Sequence, residues 1–250
     1  MNMFLMDYNV CFHGMVQKID MKNNGGMNAT TLKIIGMIAM TIDHIGYFLL
    51  PKVIGLRIIG RVAFPIFAYM IAEGCRYTKN KVRYLLSVFC TGCGCSLVSY
   101  LSEKSLYQSI FITFTCSIVL IFALQEVTTD RNSLLKKCFF GLLAMLLITL
   151  YVCLFGVKVI PGLDTDYGFY GILTPVLIHF GQSKSEKLSA LMIGLCLISI
   201  GGMTLQIFSL AAVGILAFYN GERGNHDMKW LFYGYYPFHI AFLYAISQFI

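Results

Sequence analysis

The sequence predicts an all-α fold, a polytopic integral membrane helical bundle of about nine transmembrane helices. Of its 250 residues 58% are hydrophobic and only 12% are charged, whereas a soluble domain carries about 25% charged residues. Apolar runs also follow one another along the chain, and several reach about 20 residues, the length that crosses a bilayer. The net charge of +7 therefore points to the positive-inside pattern of membrane proteins and not to nucleic-acid binding.

The predicted spans are taken in chain order from the apolar runs. They lie near 32–50, 56–74, 82–101, 108–126, 135–155, 168–180, 187–200, 203–219 and 229–250. The sixth and seventh are short, so the count carries an error of one or two. Neither an internal repeat nor a linker divides the runs. We therefore predict one transmembrane domain over 28–250 and an N-terminal extension, 1–27, of unassigned role. Either Met1 or Met27 could be the natural start.

Basic residues predict the orientation. With the N-terminus inside, fourteen of the nineteen Lys and Arg residues fall on inner segments and four on outer loops. The inner set is Lys18, Lys22, Lys33, Arg76, Lys79, Lys81, Arg83, Arg131, Lys136, Lys137, Lys184, Lys187, Arg223 and Lys229; the outer set is Lys52, Arg57, Lys104 and Lys158; Arg61 lies within a span. Because cytoplasmic loops carry the excess of basic residues, this predicts an N-in, C-out, multi-pass protein of the cell (cytoplasmic) membrane.

The nine cysteines do not predict a disulfide framework or a metal site. Their number is odd, and most lie in apolar segments. Cys90, Cys93 and Cys95 are close in sequence, but they alternate with Gly92 and Gly94, which is typical of close helix packing in a membrane. We expect no metal.

The stretch "MTIDHIGYF" places an acid and an imidazole inside the first span. His44 lies six residues before the outer end of this span, and Arg61 lies five residues after the outer start of the second. At a rise of about 1.5 Å per residue, both are roughly 8–9 Å below the outer edge. Asp43 and Arg61 could form a buried pair that orients two helices. A neutral His44 beside the Asp43 carboxylate could instead be a general base.

Four further segments supply candidate residues, and three of them have a structural alternative. In "WLFYGYYPFHIAF" the candidates are Tyr236 and His239. The alternative, an interfacial aromatic belt, suits Trp230 and Tyr233 but not a histidine as deep as His239. In "DTDYGFYGIL", Asp166 and Tyr167 open a span, where an acid can be a helix N-cap.

The remaining two segments are basic or form a turn. "FYNGERG" contains Asn220 and Arg223 in a turn signal, and Arg223 could bind phosphate or simply follow the positive-inside rule. The inner loop "CRYTKNKVRY" carries candidate phosphate ligands, namely Arg76, Lys79, Lys81 and Arg83.

Five blocks resemble the TraX family, which is named for the conjugative pilin N-acetylase. They are "LKIIGMIAMTIDHIGYF", "LRIIGRVAFPIFAYMIAEGCRYTKNKVRYLL", "DTDYGFYGIL", "FYNGERG" and "WLFYGYYPFHI", in the family's order from about Leu32 to His239. The resemblance implies an integral-membrane acetyltransferase that uses acetyl-CoA. Its motif residues correspond to Asp43, His44, Arg61, Glu73, Asp166, Tyr167, Asn220, Tyr236 and His239. The chain departs from the family around Ser87, in "CSLVSYL", and at Ser109, which bears on the substrate.

These observations lead to one hypothesis and two alternatives. The hypothesis is an acyltransferase that moves acetyl from cytoplasmic acetyl-CoA to a hydroxyl or amine, with catalytic His44, Asp43, Arg61 and His239. Substrate or cofactor binding is assigned to Arg76, Lys79, Arg83, Asn220, Arg223, Tyr236, Asp166 and Tyr167. The acceptor could be a protein N-terminus, a glycan or a small molecule, and nucleic acid is not expected. The alternatives are a proton-coupled transporter and a structural partner in pilus or secretion assembly.

Overall fold

A computed structural model describes residues 26–156, 162–224 and 229–249. Residues 1–25 of the predicted N-terminal extension and the outer-loop Lys158 lie outside these ranges. Within them the regular elements are helical, apart from two isolated bridges, Met27 with Tyr219 and Gln108 with Thr165. The all-α prediction is therefore confirmed for the part of the chain that is described.

Ten α-helices form the bundle within the described ranges. They are α1 Ala29–Phe48, α2 Ile54–Gly60, α3 Ala63–Tyr77, α4 Lys81–Glu103, α5 Ile110–Thr128, α6 Leu134–Tyr151, α7 Gly168–Phe180, α8 Lys184–Ile200, α9 Ala211–Ala217 and α10 Lys229–Ser247. A π-helical turn, Val152–Gly156, extends α6, and a 3₁₀ helix, Thr204–Leu210, leads into α9.

Local sequence sets several of these helix starts. The side chains of Asn28, Asn80, Ser133 and Ser183 each accept a hydrogen bond from the backbone N–H three residues later. Such caps satisfy N–H groups that have no partner within the helix, and each stabilises its helix by about 1 kcal/mol. Four helices thus begin where a short polar residue precedes an apolar run.

The predicted second span, 56–74, is two helices in the structure. The chain leaves α2 after Gly60 and resumes helical geometry as α3 at Ala63. Pro65 explains the break, because a proline has no N–H for the carbonyl four residues earlier and its ring clashes with that carbonyl. That carbonyl belongs to Arg61. The break therefore places a charged side chain at a discontinuity where two short helices meet.

Four helical segments are long and apolar enough to cross a membrane among the residues described. They are Ile54–Tyr77, Lys81–Leu101, Ile110–Thr128 and Leu134–Phe155, and shorter apolar segments occur at Gly168–Phe180 and Thr204–Ala217. These segments identify a membrane protein. The count of nine spans and the N-in, C-out orientation stay predictions.

The core lies around α3, which packs against α1, α5 and α7. Eleven of its residues are buried, from Ala63 to Cys75. By contrast α6 buries Ala144 and leaves Leu134 and Leu135 about four-fifths exposed, at 78% and 82%. A helix that is apolar all round and buries so little is suited to contact lipid. Helix α6 is therefore peripheral, and polar groups on α3 are enclosed by its neighbours.

Candidate functional site

The Asp43 carboxylate binds two arginines near the C-terminal end of α1. Nη1 of Arg57 donates to Oδ2 at 2.7 Å, and Nη2 of Arg61 donates to Oδ1 at 2.6 Å. Nε of Arg61 also donates to the backbone carbonyl of Arg57 at 3.1 Å, which ties the Arg61 side chain to the backbone of α2. Charge-assisted bonds of this kind are about twice as strong as neutral ones. The predicted Asp43–Arg61 pair is present, with Arg57 as a third member.

The two helices can hold this arrangement only because Gly60 has no side chain. A Cβ atom built at Gly60 would lie within 2.6 Å of three Asp43 side-chain atoms, a distance that real Cβ contacts do not show. Gly46 is similar, since its Cβ would meet the Leu56 side chain at 2.9 Å. Small residues let helix backbones approach closely in membrane proteins. Here the approach brings α2 against α1 at the level of Asp43.

His44 pairs with His239 and not with Asp43, which corrects the expected Asp43–His44 contact. Nδ1 of His44 lies 2.7 Å from Nε2 of His239, and Nδ1 of His239 lies 3.0 Å from the carbonyl of Tyr235. A carbonyl only accepts, so His239 carries its proton on Nδ1 and presents a lone pair at Nε2. Nδ1 of a neutral His44 therefore donates, which leaves the lone pair of His44 on Nε2.

Aromatic rings fix the position of this histidine pair. Tyr235 stacks on the His239 ring with 4.9 Å between centroids and 9° between planes, and its hydroxyl hydrogen-bonds Thr41 at 2.7 Å. Tyr236 contacts both imidazoles edge-on, at 5.9 Å from His44 and 5.3 Å from His239. Such contacts stabilise packing by about 0.5–1.5 kcal/mol each. The orientation of both imidazoles is therefore set by α1 and α10 together.

The loop before α7 supplies a second acid. The hydroxyl of Tyr107 donates to Oδ1 of Asp166 at 3.0 Å, and Thr113 holds the Asp166 carbonyl at 2.8 Å. Burial raises the pKa of Asp166 to about 6, while the Tyr107 hydrogen bond and the Arg61 charge oppose the rise. At neutral pH this carboxyl is mostly ionised. Two carboxylates and two guanidiniums thus balance one another at this end of the bundle.

Tyr167 sits at a backbone position that disfavours a side chain. Its φ is +62°, in the left-handed region, and its ring stacks on Phe64 with 4.0 Å between centroids. A non-glycine residue held there costs about 1–3 kcal/mol, and such residues cluster at functional sites. The stacking aligns the Asp166 loop with α3.

One cavity of about 1540 Å³ connects the two ends of the bundle. Its wall includes both the first and the last residue of α1, Ala29 and Phe48, so it extends along about 30 Å of helix. The chemistry at its two ends differs. One end is lined by Asp43, His44, Arg57, Arg61, Tyr107, Asp166, Tyr167 and Tyr236, and the other by Lys33, Lys79, Arg83 and Arg223.

The structure separates the predicted binding residues into two groups. Lys79, Arg83 and Arg223 line the basic end of the cavity. Arg76 does not, because its Nη2 donates to the carbonyls of His179 at 2.6 Å and Gly181 at 2.8 Å, where α7 ends. These carbonyls lack helical partners, so Arg76 caps α7. These contacts favour a structural role for Arg76 over the predicted one as a phosphate ligand.

Three more predicted residues lie outside the cavity wall. Asn220 accepts a bond from the N–H of Glu222 and donates to its carboxylate, so it shapes the turn after α9. Lys81 pairs with Glu126 at 3.4 Å. His239 is 5% exposed and lies behind His44. His239 was expected to contact the substrate directly, but in the structure it contacts and orients His44.

A second ionic group lies at the opposite end of α3. Nζ of Lys187 donates to Oε1 of Glu73 at 2.6 Å, with both side chains about one-tenth exposed. His179 bridges the carbonyl of Ala72 at 3.0 Å and the Gln125 amide at 2.8 Å. This group ties α3, α5, α7 and α8 together.

Sequence reasoning missed three residues of the site. Arg57 was placed in an outer loop, although its spacing of four from Arg61 puts both on one helical face. Tyr107 comes directly before the predicted span 108–126, and the sequence analysis assigned it no role. Gln206 lies within an apolar segment, "MTLQIFSL", where a lone amide was a signal that we did not use. Within the described residues, no group of three His, Cys, Asp or Glu could hold a metal ion.

Comparison with known proteins gives a family match over most of the chain. The model of the family described as "TraX protein" matches residues 28–247. The chain is 25% identical over 255 residues to a protein of Dichelobacter nodosus named "Probable fimbrial assembly protein FimC, serogroup H1", covering 92% of this chain and 100% of that one. An uncharacterized protein of Rickettsia prowazekii is 46% identical over 55 residues, 22% of each chain. No solved structure matches.

Proposed function

Since the chain belongs to the TraX family, we propose that it is an integral-membrane acetyltransferase that takes acetyl from acetyl-CoA. The observation that carries this proposal is the cavity, whose wall includes His44 at one end and basic residues at the other. CoA carries phosphates, and Lys and Arg side chains are the groups that bind phosphate. Lys79, Arg83 and Arg223 would hold the nucleotide, and the pantetheine arm would extend inside the cavity toward His44.

His44 acts as the general base in this proposal. Its Nε2 removes the proton from an acceptor hydroxyl or amine, and the freed oxygen or nitrogen forms a bond to the thioester carbonyl carbon. The C–S bond then breaks, and the CoA thiolate leaves with the proton that His44 had taken. General bases of this kind contribute about 100- to 10,000-fold to a rate.

Arg61 is placed to stabilise the charge that develops on the carbonyl oxygen. Its Nε and one Nη2 proton are engaged by Arg57 and Asp43, so the remaining N–H groups are oriented and available. A fixed cationic donor in a site shielded from water favours the tetrahedral oxyanion. The same shielding favours transfer over hydrolysis, because fewer water molecules compete with the acceptor.

The membrane placement completes the proposal. We take the basic end as cytoplasmic, where acetyl-CoA is found, in a nine-span, N-in, C-out protein of the cell membrane. The Asp43 end then faces outward, and the acceptor enters from there or laterally from lipid. The name of the Dichelobacter nodosus relative indicates fimbrial assembly for that protein. A protein N-terminus in such an assembly is one acceptor for this chain, beside a glycan or a small molecule.

The test compares acetyl-CoA binding with acetylated product. Purified protein in detergent is titrated with acetyl-CoA, and cells with and without the gene are compared by mass spectrometry for species that differ by about 42 Da, one acetyl group. Binding together with a product that depends on His44 supports the enzyme. A protein that binds no acetyl-CoA and whose loss changes no acetylated species, but which co-purifies with assembly components, is instead a structural partner.

A further inference from the structure

Gln206 is a buried amide whose polar atoms have no hydrogen-bond partner among the residues that the structure describes. Its side chain is 1% exposed, and neither its Nε2 nor its Oε1 is bonded. Each buried polar atom left unpaired costs about 1–3 kcal/mol, and more than nine in ten such groups in proteins are paired. An amide with both atoms unpaired is therefore a feature that needs an explanation.

The position of Gln206 supplies that explanation. It lines the same cavity as His44 and Arg61. It lies in the 3₁₀ helix Thr204–Leu210, which follows the C-terminus of α8 and packs against α2, the helix that ends directly before Arg61. The segment is also held firmly, because the Ser209 hydroxyl donates to the Gln206 carbonyl. Gln206 thus belongs to the wall at the acidic and arginine-rich end, far from the basic end, with its backbone held in place.

We propose that Gln206 is a specificity-determining residue that binds the acceptor. The proposal rests on the proposed function and extends it to a substrate class. An amide offers one acceptor oxygen and one donor nitrogen, with no net charge. It is satisfied by a neutral group that both donates and accepts, namely a hydroxyl or an amide. A carboxylate or phosphate satisfies only the donor, and an alkyl chain satisfies neither.

The test uses Gln206→Met, which keeps the length of the side chain and removes both polar atoms. If the amide is unpaired without substrate, Met stabilises the protein, and Tm in detergent rises by about 2–4 °C. The yield of acetylated product per folded molecule falls about 10- to 100-fold, as expected for two lost hydrogen bonds. Acetyl-CoA affinity stays within about twofold, because the nucleotide binds at the other end.

Two further variants sharpen the result. Gln206→Glu keeps the acceptor oxygen and loses the donor, so we expect a product yield below that of the wild type. Ser209→Ala lies three residues away on the same 3₁₀ helix and is the structural control. It lowers Tm slightly and leaves the product yield unchanged, because its hydroxyl contacts backbone and not the cavity.

Two outcomes overturn the proposal. The first is a fall in the Tm of Gln206→Met, which would show that the amide has a structural partner. The second is a product yield of Gln206→Met that stays at the wild-type level. The proposed function fails separately, if wild-type protein produces no acetylated species and binds no acetyl-CoA. In that case the Tm of Gln206→Met still decides the matter, because a rise keeps Gln206 as a contact for a neutral polar ligand and a fall removes it.

Discussion

Two buried ionic groups at opposite ends of α3 use the same kinds of residue to different effect. The cavity cluster consists of Asp43, His44, Arg57, Arg61 and His239, and the helix-end cluster of Glu73, Arg76, His179 and Lys187. In the cavity cluster one carboxylate binds two guanidiniums, and an imidazole keeps a lone pair. In the helix-end cluster the carboxylate meets one ammonium, and the imidazole contacts a carbonyl and an amide with its two nitrogens.

The difference distinguishes a candidate functional site from a group of structural contacts. Both clusters neutralise buried charge, and a buried ion pair by itself is weak evidence for function. The helix-end cluster satisfies backbone carbonyls, as Arg76 does at the end of α7. The cavity cluster lines the cavity through Asp43, His44, Arg57 and Arg61, whereas in the helix-end cluster only Glu73 does. At the helix end the unbonded atoms, Nε of Arg76 and Oε1 of Gln125, belong to residues outside the cavity wall. We therefore judge a buried polar residue by whether it borders the cavity as well as by the atoms that its neighbours leave unused.

His44 should show the largest effect on activity. We expect His44→Gln to lower the rate of acetyl transfer about 100- to 10,000-fold, because the lone pair of Nε2 is lost. His179→Gln is the matched change in the helix-end cluster. It should lower Tm and leave the rate per folded molecule unchanged. Equal losses of transfer in the two variants would remove the distinction between the clusters.

Breaking either ion pair should destabilise the protein by a similar amount. Glu73→Gln leaves Lys187 buried without its carboxylate partner. Asp43→Asn does the same to Arg57 and Arg61. Each change costs about 3–5 kcal/mol of stability, as for other buried pairs from which one partner is removed. Chemical denaturation in detergent measures it. Only Asp43→Asn should also lower acetyl transfer per folded molecule, since Arg61 loses its anchor.

Gly60→Ala tests the close approach of α1 and α2. The added methyl must displace the Asp43 side chain or push the helices apart, and overpacking of this kind costs about 1–3 kcal/mol. Acetyl transfer should fall with Tm. Gly55→Ala on the same helix meets no atom within 4 Å, so it should change neither quantity, and a loss there would show that α2 itself tolerates no substitution.

The smallest effect concerns CoA affinity at the basic end. Lys79→Ala and Arg83→Ala should each raise the Kd for acetyl-CoA about 3- to 10-fold at low salt, and less at high salt. Arg76→Ala, in the same sequence stretch, should lower Tm and leave Kd unchanged. Titration of the three variants at two salt concentrations measures this. If only Arg76→Ala weakened the affinity for acetyl-CoA, Arg76 and not Lys79 or Arg83 would be the phosphate ligand.

Much of the fold follows from the sequence because apolar runs, caps and Pro65 act locally. The helix boundaries fall near the predicted ones, and the break at Arg61 lies four residues before the proline. The site was only partly predictable, because pairing between distant segments is not a local property. The partner of His44 is 195 residues away, and spacing could not favour His239 over Asp43. Arg76 and Arg83 also look alike in sequence, although one caps a helix.

The bond between the two imidazoles has a consequence for repeated turnover. If His44 is the general base that we propose, its Nδ1 already donates to His239 when Nε2 takes up a proton, so the ring needs no rotation and its existing bond becomes charge-assisted and stronger. Loss of the proton simply reverses the change. The imidazole can thus be charged and discharged in place, and each cycle begins from the geometry in which the previous one ended.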